Sequence, residues 1–153
     1  IMEIRPINED QIIARIKKRL LQAKNTKKLM NDIAVDMKNK TQLRFRQEKD
    51  PSGAKWARNS EATIKMKKSS KPGTDTGRLR RSITSKSTLT QAIAGTNVEY
   101  APTFNYGAKQ GKYGYIIKNR APIPWGNVPS RRFVGFNSNQ RKIYAKWVKD
   151  YLK

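Results

Sequence analysis

Histidine and cysteine are both missing from the 153 residues of this chain. Without an imidazole or a thiol there is no Ser-His-Asp or Cys-His relay, no zinc site of the usual Cys/His kind, no haem ligand except Met or Tyr, and no disulfide. Acidic residues are few, with 11 Asp and Glu against 34 Lys and Arg, a formal net charge of +23. After Glu61 only Asp75, Glu99 and Asp150 remain, widely spaced, so a two-metal or paired-carboxylate centre has little to stand on. Long apolar runs are absent too. No stretch approaches the roughly 18 residues of a membrane span, and no signal-peptide core opens the chain, so neither membrane insertion nor export is expected.

Aliphatic and aromatic supply is thin. Leu, Ile, Val and Phe together number 30 of 153, close to the roughly 20% below which a highly charged chain is suspected of disorder. Against that stand three Trp, six Tyr and well-formed helix and turn signals. The expectation is one folded domain over 1–153 whose like charges repel and whose partner or copies add stabilisation.

Periodicity predicts a helix pair over about 8–47. Asn8 caps the first, with Ile12, Ile13, Ile16, Leu20 and Leu21 on one stripe. Thr26 opens the second, with Leu29, Met30, Ile33, Ala34 and Met37 running toward Phe45. A mixed region over about 56–136 follows. Asp50-Pro51-Ser52-Gly53 reads as a turn anchored by Trp56, and Ser60 as the cap of a short helix through Met66. Asp75 or Thr76 is expected to cap a helix holding Leu79 and Ile83. Two strands, 83–88 and 91–97, flank Leu89-Thr90, and a short helix runs from Tyr100-Ala101-Pro102 to Gly107. Residues 113–118 and 132–136 read as further short strands, and Asn137 or Ser138 caps a last helix over about 138–152. The fold class is therefore α+β, with the N-terminal helix pair and the C-terminal helix packed on a small, mainly antiparallel sheet.

Two motifs invite catalytic readings and fail them. Ser52-Gly53-Ala54-Lys55 matches the Ser-x-x-Lys of penicillin-interacting enzymes, but the accompanying Lys-Thr-Gly and Ser-Asp-Asn elements are missing and Ser-Gly after Pro is turn chemistry. Gly107, Gly111, Lys112 and Gly114 lack the spacing of a phosphate loop and the Ser or Thr after Lys. An enzyme is the least favoured class, and no cofactor or metal is expected. Residues 100–149 hold ten Lys or Arg and no acid, a one-signed surface that reads equally as a solvated basic face or as a contact for a polyanion or an acidic protein. Phe104, Tyr106, Tyr113 and Tyr115 interleave with Lys109 and Lys112 as they would in a stacking groove. A basic nucleic-acid-binding module is accordingly the alternative reading.

Four segments taken in order carry a resemblance: Asp50-Pro51-Ser52-Gly53-Ala54-Lys55-Trp56, Thr76-Gly77-Arg78-Leu79-Arg80-Arg81-Ser82-Ile83, Gly95-Thr96-Asn97-Val98-Glu99-Tyr100-Ala101, and Pro129-Ser130-Arg131-Arg132-Phe133-Val134-Gly135-Phe136. Together they resemble the tailed-phage virion morphogenesis family, the tail-completion proteins of Mu-like and related phages. One departure stands out: family members often carry His in a Tyr-Ala-x-x-His-x-x-Gly stretch where this chain has Phe104, so no role of that His transfers. The resemblance implies a structural virion protein at the head–tail junction, present in host cytoplasm during assembly, which completes or terminates the tail and helps join it to the head. It implies a homo-oligomeric ring, of about six copies, that meets tail-tube and neck or connector proteins, with contact to DNA and none to membrane. The interface residues expected on this reading are Tyr100, Phe104, Tyr106, Gly107, Trp125, Arg131, Arg132 and Phe133.

Overall fold

The computed structural model describes residues 14, 15, 18, 19, 26–67 and 70–153. Of the first predicted helix, Ala14, Arg15, Lys18 and Arg19 are helical; its cap and apolar stripe lie outside the described residues. The second is helix α1, Thr26–Gln47. Arg44 and Arg46 in its last turn complement the helix dipole, and Glu48 ends it in the left-handed region at φ 54°. Its apolar spacing buries Leu29, Ile33, Ala34 and Phe45.

Residues 48–56 then double back. Trp56 N–H donates to the Glu48 carbonyl at 2.7 Å. The Asp50 carboxylate accepts from the Ser52 N–H, the Ser52 hydroxyl and the Ala54 N–H at 2.8, 2.6 and 3.0 Å. These bonds, led by that of the Ser52 hydroxyl, hold Asp50 below its ordinary pKa. The Ser52 hydroxyl is thus committed as a donor within a turn.

Helix α2, Glu61–Met66, is capped by Ser60, whose oxygen accepts from Thr63 N–H. Helix α3 is a single turn, Arg78–Arg81, and its cap corrects the expectation. Neither Asp75 nor Thr76 is the capping residue; Gly77 is, at φ 67°, while the Thr76 hydroxyl accepts from Arg78 N–H at 3.3 Å. Ile83 lies past the helix end, yet it and Leu79 are both buried in the core.

Strands β1, Thr84–Ser87, and β2, Ala92–Gly95, pair antiparallel with Thr84 opposite Gly95 and Ser87 opposite Ala92. A two-stranded sheet is marginal alone, and α1 packs across both strands. Helix α4, Ala101–Tyr106, starts with Pro102 in its first turn and stops at Gly107, as the sequence indicates. Helix α5, Ser138–Tyr151, is capped by the Asn137 side chain, which accepts from Gln140 N–H at 2.7 Å. Its main contact is with α1 and not with the sheet.

The two further strands do not form. Residues 113–118 belong to an irregular hairpin, 108–128, held by the isolated bridges Ala108–Val128 and Tyr115–Pro122. Gly111 and Gly114 take positive φ there, and Pro122 and Pro124 have no N–H to give a ladder. At 132–136 a side chain replaces the ladder: Asn105 Oδ1 accepts from Phe133 N–H at 2.9 Å and Val134 N–H at 3.2 Å.

The core sets three buried aromatic rings, with Phe104 packed against them, among Leu79, Ile83, Val98 and Ala101. Phe45, Trp56, Phe104 and Phe133 come from four separate segments. Phe45 stands 5.1 Å from Trp56, edge to face, 5.8 Å from Phe104, stacked, and 5.2 Å from Phe133. The Trp56 indole N–H donates to the Arg132 carbonyl at 3.0 Å. Buried polar groups fasten this core to α5. The Arg44 guanidinium donates to the Phe133 carbonyl at 2.7 Å and to Gln140 Oε1 at 2.8 Å, and burial lowers its pKa. Nearby, the Tyr144 hydroxyl donates to Asp36 at 2.7 Å, and its pKa is pushed up to about 12 by burial first and that bond second.

Candidate functional site

Helix α4 and the hairpin it leads into form two adjoining depressions. Gly107 makes the junction possible: at φ 76° a Cβ there would sit 2.6 Å from the Val128 carbonyl oxygen and 2.9 Å from Ser130 N. The chain therefore crosses itself closely, and the hairpin base lies against α4. Backbone bonds from Gly111 to Pro124, Tyr113 to Ile123 and Ile116 to Ala121 carry the hairpin outward to a tip where Ile117 is fully exposed. Tyr113 leans back, its hydroxyl 2.7 Å from that of Thr103.

The larger depression is a cleft of about 860 Å³ between α2, the 73–78 loop, α4 and the hairpin base. Tyr100, Phe104 and Trp125 line it with Arg131. Phe104 is half-buried, and the Arg131 guanidinium lies 5.7 Å from its ring centroid. The smaller depression, about 710 Å³, holds Tyr106, Gly107, Lys109 and Lys112 and shares Asn127 and Val128 with the first. Six of the eight expected interface residues thus gather around one continuous surface. Tyr106 and Trp125 are its most exposed members, at 73% and 65%, whereas Gly107 is buried by the backbone crossing.

The other two lie elsewhere. Phe133 is 2% exposed, packed in the core. Arg132 is exposed, with a guanidinium nitrogen near Gly135 and so close to the Pro51 turn. Arg131 lines the cleft but is 6% exposed. It donates to the carbonyls of Ala57 and Arg58 at 2.8 and 3.0 Å and to Asn59 Oδ1 at 3.3 Å, and burial lowers its pKa. Its work is to tie the 57–59 segment under Phe104.

Three exposed cations on the cleft, Arg58, Lys67 and Arg78, were not among the expected interface residues. Each comes from a different segment, and no spacing joins them. Asn105 was not among the expected residues either, because the N–H groups its side chain satisfies lie 28 and 29 residues further along the chain.

Nothing here assembles as a metal site: among the described residues no three His, Cys, Asp or Glu cluster to hold an ion. No helix among those residues is long and apolar enough to cross a membrane. The phage virion morphogenesis family matches the chain over residues 7–153, nearly its whole length. The chain belongs to that family. A phage structural or assembly role, in association with the virion, follows from the membership. No curated protein and no solved structure matches the chain.

Proposed function

We propose that this chain completes the tail at its head-proximal end, stops growth of the tube and offers the surface that joins it to the head or neck, acting as a ring of about six copies. The observation that carries this reading is the hairpin 108–128, which extends Tyr115, Ile116, Ile117, Ile123 and Trp125 into solvent. A virion protein that exposes such side chains together does so for a neighbour to cover them. The same hairpin carries Lys109, Lys112, Lys118 and Arg120 and no acid, so that neighbour is selected by charge as well as by shape.

Imaging of assembled particles tests the proposal directly. Density for a closed ring of this chain between tube and neck is the expected outcome, together with unjoined heads and tails when the chain is withheld. Monomers both free and in particles, or density confined to another part of the virion, would overturn it. Duplex DNA binding that weakens linearly in log salt, without affinity for tail components, would favour the nucleic-acid reading instead.

A further inference from the structure

The larger cleft joins an apolar floor to a cationic rim, and that pairing defines what fits. Phe104 lies at the bottom, Trp125 and the 70% exposed Met66 stand in its walls, and Arg58, Lys67 and Arg78 are exposed around them. Asp75 is the single carboxylate among the lining residues. A second copy of the chain is a poor occupant of this cleft because its 11 acids are scattered among 34 bases and nowhere do more than two stand side by side. A duplex is too broad to reach a recessed ring in about 860 Å³, and Asp75 opposes a phosphate backbone while accepting a peptide N–H.

We propose that the cleft binds an extended acidic segment of another protein, with carboxylates on Arg58, Lys67 and Arg78 and one bulky apolar side chain seated against Phe104 and Trp125. The inference rests on the assembly role only for the source of that segment, a tail or neck neighbour. The site itself is tested without particles, so a failed ring experiment and a failed cleft experiment are separable.

The probe is a fluorescein-labelled peptide of about twelve residues, with glutamates flanking one leucine, read by anisotropy on the intact chain. Saturable binding is expected, falling at least about tenfold in R58E/K67E/R78E, and about fivefold in W125A or when the leucine becomes serine. These side chains are exposed, so circular dichroism should show an unchanged fold. Reversal of Lys142, Lys146 and Lys149 on α5 should leave affinity within about twofold. Absence of saturable binding, full retention in the triple variant, or equal loss from the α5 reversals would overturn the proposal. So would an oligothymidine that binds with the triple variant's sensitivity and is not displaced by the peptide.

Discussion

Single side chains in this molecule carry more structure than their sequence positions advertise. Asn105 is buried and its Oδ1 satisfies two backbone N–H groups of the 133–134 segment. Replacing it by Leu leaves both without a partner, so Asn105→Leu should cost about 2–4 kcal/mol in urea unfolding. Arg131 behaves likewise. A carboxylate at that position would face the three oxygens that the guanidinium now satisfies, and Arg131→Glu should lose about 3 kcal/mol or more, whereas Arg132→Glu, on an exposed side chain, should change stability by no more than about 0.5 kcal/mol. Arg132→Glu is therefore the variant that reports on assembly, through particle yield. Two titrations bracket the pH range. Asp50 is held low in the folded chain, so its contribution is present above the unfolded carboxylate pKa of about 4 and fades as pH falls through the folded value. Tyr144 is held high, at about 12, so its contribution is full below the unfolded value of about 10 and is lost as pH rises toward 12. Asp50→Asn should flatten the acid limb of a urea-midpoint profile, and Tyr144→Phe the alkaline limb; a variant profile parallel to wild type on its limb would refute the assignment.

At the scale of elements, the hairpin 108–128 separates what folds the chain from what it shows to others. Gly107 belongs to the first group, because any Cβ meets the Val128 and Ser130 backbone at 2.6 and 2.9 Å; Gly107→Ala should cost about 1–3 kcal/mol. Ile117 belongs to the second, being fully exposed. Ile116→Ser with Ile117→Ser should leave the free energy of urea unfolding unchanged within about 0.5 kcal/mol while lowering head–tail joining in a complementation assay. Loss of stability without loss of joining would reverse those assignments. The same elements show how far the sequence could be read. Helix α4 was legible because Pro102 and Gly107 punctuate it, and β1 and β2 because a polar Thr88–Gln91 turn sits between them, with the Thr88 hydroxyl accepting from Thr90 and Gln91 N–H. The strand expected at 113–118 was not, since Gly114 at φ 93° breaks it and Pro122 and Pro124 have no N–H to extend their contacts with it into a ladder. At 132–136 local pattern pointed to a ladder that a distant amide had already replaced. Neighbour propensity carries no trace of a bond spanning 28 residues.

The whole molecule is a modest core of mixed aromatic and aliphatic side chains inside a strongly cationic shell. Trp56 was foreseeable as an anchor, but the joining of Phe45, Trp56, Phe104 and Phe133 was not, because each sits alone in its own segment and only tertiary packing brings them together. The buried Arg44 had a local signal, a charge on the stripe of Leu29, Ile33 and Phe45. Charge, by contrast, was fully legible, and it makes a prediction about the chain as a unit. With 34 bases against 11 acids, of which Asp36 and Asp50 are engaged internally, like charges oppose compaction across distances that salt can screen. Shortening the Debye length from about 30 Å at 0.01 M to about 8 Å at 0.15 M should raise the thermal midpoint by several degrees, about 3 °C for each kcal/mol of repulsion relieved. Sodium chloride alone does not separate screening from stronger apolar burial, so polyglutamate supplies the second arm. At micromolar concentration it leaves ionic strength nearly unchanged, and it should still raise the midpoint by binding the folded chain. The cleft predicts where: R58E/K67E/R78E should gain more stability than wild type from its own lost charge at low salt, yet respond less to polyglutamate. A midpoint indifferent to both salt and polyglutamate would show that self-repulsion does not limit this fold and that its cationic excess needs no acidic neighbour.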